Sequence, residues 1–137
     1  MKIGIVGLGF VGLSLTSVLA AKGFSTIGID IDKKKCKQIA NGKSPFFEPK
    51  LEETLRKGLK KKLIIGDDFS LVKNCDFIFV TVGTPQSRDG TINLSMIKKS
   101  VTKIGKTMYG NKKNQVILIK STVTPGTMKN VVLPILE

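Results

Sequence analysis

The sequence predicts a Rossmann-like, doubly wound α/β fold, with a parallel sheet and helices on both faces. Three observations carry this. Strand-like apolar runs alternate with segments of helical period along the whole chain. The runs are continuously apolar rather than alternating, as in strands buried on both faces. The first run ends in a glycine-rich turn, Gly7-Leu8-Gly9-Phe10-Val11-Gly12, which opens directly into a helical pattern.

Each element has its own warrant. Residues 2–7 (KIGIVG) are short and apolar and read as a buried strand. Residues 11–22 carry apolar side chains at helical spacing, and Gly23 closes that helix as the glycine past its end. Residues 25–30 (STIGID) form a second strand ending at an acid, and residues 32–41 a helix with a basic outer face. Two prolines bracket a loop at 44–49 (SPFFEP), and an amphipathic helix covers 50–60. Leu63-Ile64-Ile65 is a short strand, 76–82 (DFIFVTV) a buried one, and 83–93 a polar loop. A helix spans about 94–108 and a strand 115–120 (QVILIK). Thr124-Pro125 reads as the start of a last helix, threonine as N-cap and proline at the first position, with Pro134 ending or distorting its last turn. Right-handed crossovers and a sheet order of 3-2-1-4-5 follow from the doubly wound pattern.

The glycine turn has the context that gives the motif meaning: strand before, helix after. Gly7 allows the tight turn, Gly9 lets the backbone approach a pyrophosphate, and Gly12 lets helix and strand pack closely. The amide groups and positive end of the helix then face phosphates. Asp30 ends the second strand, where an acid accepts hydrogen bonds from the adenosine ribose and repels a 2′-phosphate. The expected cofactor is therefore NAD rather than NADP, with Lys33, Lys34 and Lys35 partly offsetting the repulsion. The other reading of Asp30 is a helix-entry cap, and the two roles are compatible.

Composition narrows the function further. A chain of 137 residues supports one domain, over 1–137. No segment reaches the length of a membrane span, and the N-terminal apolar run lacks a cleavage site, so neither membrane nor export is expected. Two cysteines, Cys36 and Cys75, make neither a disulfide framework nor a metal cluster, which fits a reducing, cytoplasmic setting. Histidine is absent, removing the commonest general base. The net charge of +13 comes almost entirely from lysines, with Arg56 and Arg88 the two arginines. Aromatics do not interleave with the lysine runs, so solvated helix faces are preferred to a nucleic-acid surface. Electrostatic attraction of anionic small molecules is a further reading.

Two later segments are more specific. Residues 80–85 read Val-Thr-Val-Gly-Thr-Pro, followed by Asp89-Gly90, and residues 120–127 read Lys-Ser-Thr-Val-Thr-Pro-Gly-Thr. With the glycine turn and Asp30, these resemble the NAD-binding domain of the UDP-glucose/GDP-mannose dehydrogenase family, over the whole chain. The resemblance implies a parent that oxidises the C6 alcohol of a nucleotide sugar to a carboxylate with two NAD, and that forms a homodimer. It implies that Val11 meets the pyrophosphate, Asp30 binds the ribose, Lys35 lies beside it, and Thr84 runs along the cofactor. It implies that Thr122 sits near the nicotinamide and helps position a water. UDP-glucose is the substrate to which VGTP leans, with UDP-N-acetylmannosamine and GDP-mannose as alternatives. A hydroxy-acid dehydrogenase or a non-enzymatic NAD-binding or nucleic-acid-binding module would need neither segment.

There are departures. Lys50 stands where the family often has glycine (E-P-G-L), and Thr124 where proline is common. The family's catalytic cysteine and lysine, its sugar-binding residues and its dimerising helix have no counterpart in these residues. Cys36, at a helix start among lysines, has a setting that favours the thiolate, yet it lies beside the ribose position. Cys75 is expected to pack. The chain is therefore expected to be the cofactor-binding piece of a larger enzyme, inactive by itself.

Overall fold

The computed structural model describes residues 1–137. Its core is a parallel sheet of order β3-β2-β1-β4-β5, in the order expected from the sequence. The strands are β1 (Lys2–Val6), β2 (Ser25–Ile29), β3 (Leu63–Gly66), β4 (Phe77–Val80) and β5 (Val116–Ile119). The helices are α1 (Phe10–Ala21), α2 (Lys33–Ala40), α3 (Leu51–Leu59), α4 (Ser95–Met108) and a last short turn, α5 (Leu133–Leu136). β1 lies at the centre, with Val6 opposite Ile29 of β2 on one side and Val80 of β4 on the other.

Strand periodicity divides the core between the two faces. Ile3 and Ile5 of β1 point to one face and pack with Leu13 and Ala20 of α1 and Leu51 and Leu55 of α3. Val6, Ile27, Ile29, Ile78 and Val80 point to the other, against Phe69, Val72 and Ile104. α1 is buried over much of its surface. Its polar residues there are made harmless by local bonds: Thr16 and Ser17 donate their hydroxyls to the carbonyls of Gly12 and Leu13, at 2.7 and 2.8 Å. The C-terminus of α1 ends as the sequence predicts. Gly23 has φ +98°, and the paired bonds Gly23 N to Ala20 O and Phe24 N to Leu19 O form a Schellman motif.

The β3–β4 crossover is unusual in size. It contains only a 3₁₀ turn, Phe69–Val72, capped by Asp68, whose carboxylate accepts from the Ser70 amide. Phe69 and Val72 of this turn pack with Ile104 of α4, and a cleft lined by Phe69 and α4 opens beyond the carboxyl ends of the central strands.

One expected element is different. Thr124 does not cap a helix. Thr124-Pro125-Gly126-Thr127 closes as a tight turn, with Thr127 N bonded to Thr124 O at 3.2 Å and Gly126 at φ +87°. Proline followed by a glycine of positive φ is the type II pattern. The helix beyond it is wide: Met128–Val132 is π-helical before α5 begins, with Pro134 in the first turn of α5. Pro134 has no N–H to give the preceding turn, so the expected distortion falls before it rather than after it.

Candidate functional site

β1 delivers the chain to the glycine turn at the middle of the sheet's carboxyl edge. Gly7 has φ +100° and its amide donates to Ile29 O of β2 at 2.8 Å. Gly12 is where space is tightest: a Cβ there would lie 1.8 Å from Gly7 O and 2.6 Å from Thr81 Oγ1. At Gly9 the reverse holds, since a Cβ would meet nothing within 4 Å. One glycine is thus demanded by the protein's own packing, whereas the other borders open space.

α1 starts at Phe10 with Gly9 at the cap position and no side-chain cap. Leu13 N bonds Gly9 O, but the amides of Phe10, Val11 and Gly12 have no acceptor within the protein. These are the orphan donors of a helix start, gathered beside a position without a side chain. They form an anion cradle that fits a pyrophosphate.

Asp30 lies immediately beyond β2 and is 8% exposed. Its Oδ2 accepts from the Leu8 amide at 2.8 Å and from Lys35 Nζ at 2.9 Å, and its Oδ1 from the Asp32 amide at 3.0 Å. Burial pushes the carboxyl pKa up, but the bonds from Asp32, Lys35 and Leu8, with the charge of Lys35, outweigh it and hold the group ionised, below the usual carboxylate value. Asp30 is not the helix cap. That role belongs to Asp32, whose carboxylate accepts from the amides of Lys34 and Lys35. Asp30 instead ties the glycine turn to the β2–α2 junction.

The lysines around Cys36 do not activate it. Its thiol is turned inward, 6% exposed, and donates toward the carbonyls of Asp30 and Gly66. Burial, reinforced by the charges of Asp30 and Asp67, pushes its pKa up. Cys75 packs as expected, fully buried, with burial pushing its thiol up to about 11. Burial thus favours the protonated thiol at both positions.

A cleft of about 760 Å³ opens from this edge, bounded by Gly7, Gly9, Asp30, Lys35 and, just past β4, Thr81 and Gly83. Its far wall is α4. Of the residues singled out in the sequence, the structure brings Gly7, Gly9, Asp30 and Lys35 into this cleft, with Phe10, Val11 and Gly12 at the adjoining helix start. Thr84 and Thr122 follow the neighbouring strands β4 and β5 outside it. Thr84 is half-buried, Thr122 is exposed, and neither forms a side-chain hydrogen bond.

Two residues matter more than the sequence suggested. Thr81 donates its hydroxyl to Gly7 O at 2.7 Å and lies 3.1 Å from Val6 O, fastening the end of β4 to the glycine turn. The signal was a hydroxyl inside the otherwise apolar run FIFVTV. Ser121, beside Thr122, donates to Val82 O at 2.6 Å and holds the ends of β4 and β5 together. The loop at 44–49 also reaches the site, because Phe46 stacks on Phe10 with ring centroids 4.1 Å apart.

Known proteins share this fold. Residues 1–137 match the UDP-glucose/GDP-mannose dehydrogenase family, NAD binding domain. A GDP-mannose 6-dehydrogenase of Pseudomonas syringae is 41% identical over 100% of this chain and 32% of its own length. A UDP-glucose 6-dehydrogenase of Haloferax volcanii is 29% identical over the same shares, 100% and 32%. Among solved structures, a ternary complex of GDP-mannose dehydrogenase from Pseudomonas aeruginosa superposes with a TM-score of 0.97 at 37% identity, over 100% of this chain and 32% of that one. A UDP-glucose dehydrogenase from Pyrobaculum islandicum gives 0.94 at 27% identity, over 98% and 32%. The chain thus spans about a third of the length of these relatives, 32%. It belongs to the UDP-glucose/GDP-mannose dehydrogenase family, whose NAD-binding domain it constitutes.

Proposed function

We propose that this chain holds NAD for a nucleotide-sugar 6-dehydrogenase, with the pyrophosphate over Gly9 on the amides of Phe10 and Val11. The observation that carries the placement is the set of unpartnered amides at the start of α1 beside the open position of Gly9. Asp30 takes the adenosine ribose: its Oδ1 accepts one protein bond and keeps a lone pair for a hydroxyl. Lys35 fixes that carboxylate from the other side. Thr84 and Thr122 flank the nicotinamide end, where Thr122 positions a water. NAD supplies the hydride acceptor; these residues bind and orient it.

In the parent enzyme the C6 alcohol is oxidised twice to a carboxylate, each oxidation reducing one NAD. GDP-mannose is the substrate favoured by the relatives, since GDP-mannose 6-dehydrogenases are 35–41% identical to this chain and the UDP-glucose enzyme 29%. UDP-glucose, toward which VGTP leans, is the second reading. These 137 residues alone do not turn over either sugar, because both cysteines are buried and protonated. The parent is taken to be a homodimer.

Calorimetric titration of the chain tests the cofactor reading. NAD should bind about tenfold or more tightly than NADP, a difference near 1.4 kcal/mol; equal or reversed affinities would refute the role of Asp30. For the substrate, the whole enzyme containing this domain should form NADH faster from GDP-mannose than from UDP-glucose. The opposite ranking would establish the second reading.

A further inference from the structure

The wall of the cleft opposite the glycine turn is made by α4 and carries Lys98, Lys99, Lys103 and Lys106. Lys99, Lys103 and Lys106 fall at i, i+4 and i+7 and share one stripe, with Lys98 beside it. All are exposed, and none lies in any of the chain's ion pairs. Lys103 reaches across to the crossover, its ammonium 5.0 Å from the centre of the Phe69 ring, which also lines the cleft.

The acids of the same cleft are already engaged. Asp30 is paired with Lys35 and takes two amides; Asp32 caps α2. The cleft therefore carries an uncompensated positive wall. The pyrophosphate cradle at α1 forms the other wall and does not use these lysines. NAD is also a poor match for such a wall, since its cationic nicotinamide cancels part of its phosphate charge.

We propose that the α4 lysines make this cleft a site for adenine nucleotides whose 5′-phosphate chain is more negatively charged than that of NAD, so that ADP and ATP compete with the dinucleotide; NADP, whose added phosphate would face Asp30, falls outside this class. The inference rests on the cleft being the NAD site. Adenosine would occupy the same place, with its ribose on Asp30, while the summed field of the four lysines favours the ligand of greater charge. Because the lysines are exposed, the preference is screened by salt.

The test is competition calorimetry on the 137-residue chain, with NAD, ADP and ATP as the ligands, at low and at high ionic strength. At low salt ATP should displace NAD better than ADP does, and the ranking should collapse as salt rises. The variant K98Q/K99Q/K103Q/K106Q should bind ATP about tenfold more weakly and NAD with much less change. Its melting temperature in the absence of ligand shows whether it is folded. A second comparison is K60Q/K61Q/K62Q, which removes lysines remote from the cleft and should leave ATP binding nearly unchanged; its ligand-free melting temperature is checked in the same way, since Lys61 donates to Ala21 O. If NAD itself does not bind, the cofactor reading fails. If NAD binds but ATP does not compete, or competes equally in the α4 variant, or loses as much affinity in the remote variant, the proposal is overturned.

Discussion

The two halves of the sheet's carboxyl edge are built to different standards. At the ends of β1 and β2, the chain's own residues hold every part in place: Asp30 accepts three bonds, Thr81 reaches over to Gly7, and Gly12 has no room for a side chain. At the ends of β4 and β5, Thr84 and Thr122 have no side-chain partners, and Ser121 supplies the side-chain tie between the strands, beside the backbone bond from Lys120 N to Val80 O. The half proposed to take the adenosine is therefore pre-organised by this domain's own residues. Fixing groups before the ligand arrives removes an ordering cost from binding, so the affinity of the chain for its cofactor should reside in that half.

The largest effect that can probe this contrast is at the glycines. Gly12→Ala forces a methyl to within 1.8 Å of Gly7 O, and neither backbone nor Thr81 can yield without opening the turn. A loss of about 3 kcal/mol is expected, at the upper end of overpacking, seen as a lowered urea midpoint. Gly9→Ala should leave that midpoint nearly unchanged, because nothing lies within 4 Å and its φ of −78° suits any residue. It should nevertheless cost NAD affinity tenfold or more, about 1.4 kcal/mol. If both variants lost stability equally, or Gly9→Ala bound NAD as well as the parent, the assignment of the open face to a pyrophosphate would fail.

Next is Asp30→Asn, which keeps the shape and removes the charge. About 2 kcal/mol of stability should go with the charge-assisted bonds, and NAD binding should weaken. Acid titration gives a sharper view. The folded pKa of Asp30 lies below its unfolded value, so its contribution is complete above the ordinary carboxylate range, about pH 4. It is lost as the pH falls through the folded pKa. The parent should therefore lose stability more steeply than the Asn variant on acidification, and the two curves should converge. Parallel curves down to low pH would show that Asp30 is not held ionised by its partners.

The same contrast explains what could be read from the sequence. Strand and helix order followed from apolar periodicity, because every strand of this sheet is flanked by helices or sheet neighbours and so reads as a continuous run. Asp30 was legible because its role depends on a fixed place after β2. Thr81 showed only as a hydroxyl in an apolar run, and its role did not, since its acceptor, Gly7 O, lies far away in the chain and only the folded sheet brings them together. Cys36 misled for a related reason: Lys33, Lys34 and Lys37 point to solvent, whereas the thiol points inward, and the charge of Lys35 is outweighed by burial and by Asp30 and Asp67. Thr124-Pro125 suits a helix start and a type II turn equally; Gly126, at φ +87°, decides for the turn.

A smaller effect separates the two kinds of threonine. Thr81→Val removes the hydroxyl bond to Gly7 O and should cost about 1 kcal/mol, with a matching fall in NAD affinity as the turn loosens. Thr122→Val touches no bond and should change stability by less than about 0.5 kcal/mol. Thermal melts and calorimetry on the pair measure both quantities. Equal losses would mean that the half at β4 and β5 is as pre-organised as the other.

The smallest effect concerns the loop that leans on the site through Phe46. Lys50, at the start of α3, has φ +63° and is the chain's one non-glycine residue in the left-handed region. The backbone keeps the conformation that glycine would take there, despite the lysine. That conformation costs a residue with a Cβ about 1–2 kcal/mol, of which glycine would recover part and lose some to its freer unfolded chain. Lys50→Gly should thus gain about 0.5 kcal/mol, a rise of about 2 °C in melting temperature. Lys50→Ala keeps the Cβ and should gain nothing, which isolates the backbone from the loss of charge. Neither change should alter NAD affinity, because Phe46 still stacks on Phe10 at 4.1 Å. A gain in affinity with Lys50→Gly would instead mean that strain in this loop reaches the glycine turn, and the adenosine half would then be less rigid than its hydrogen bonds imply.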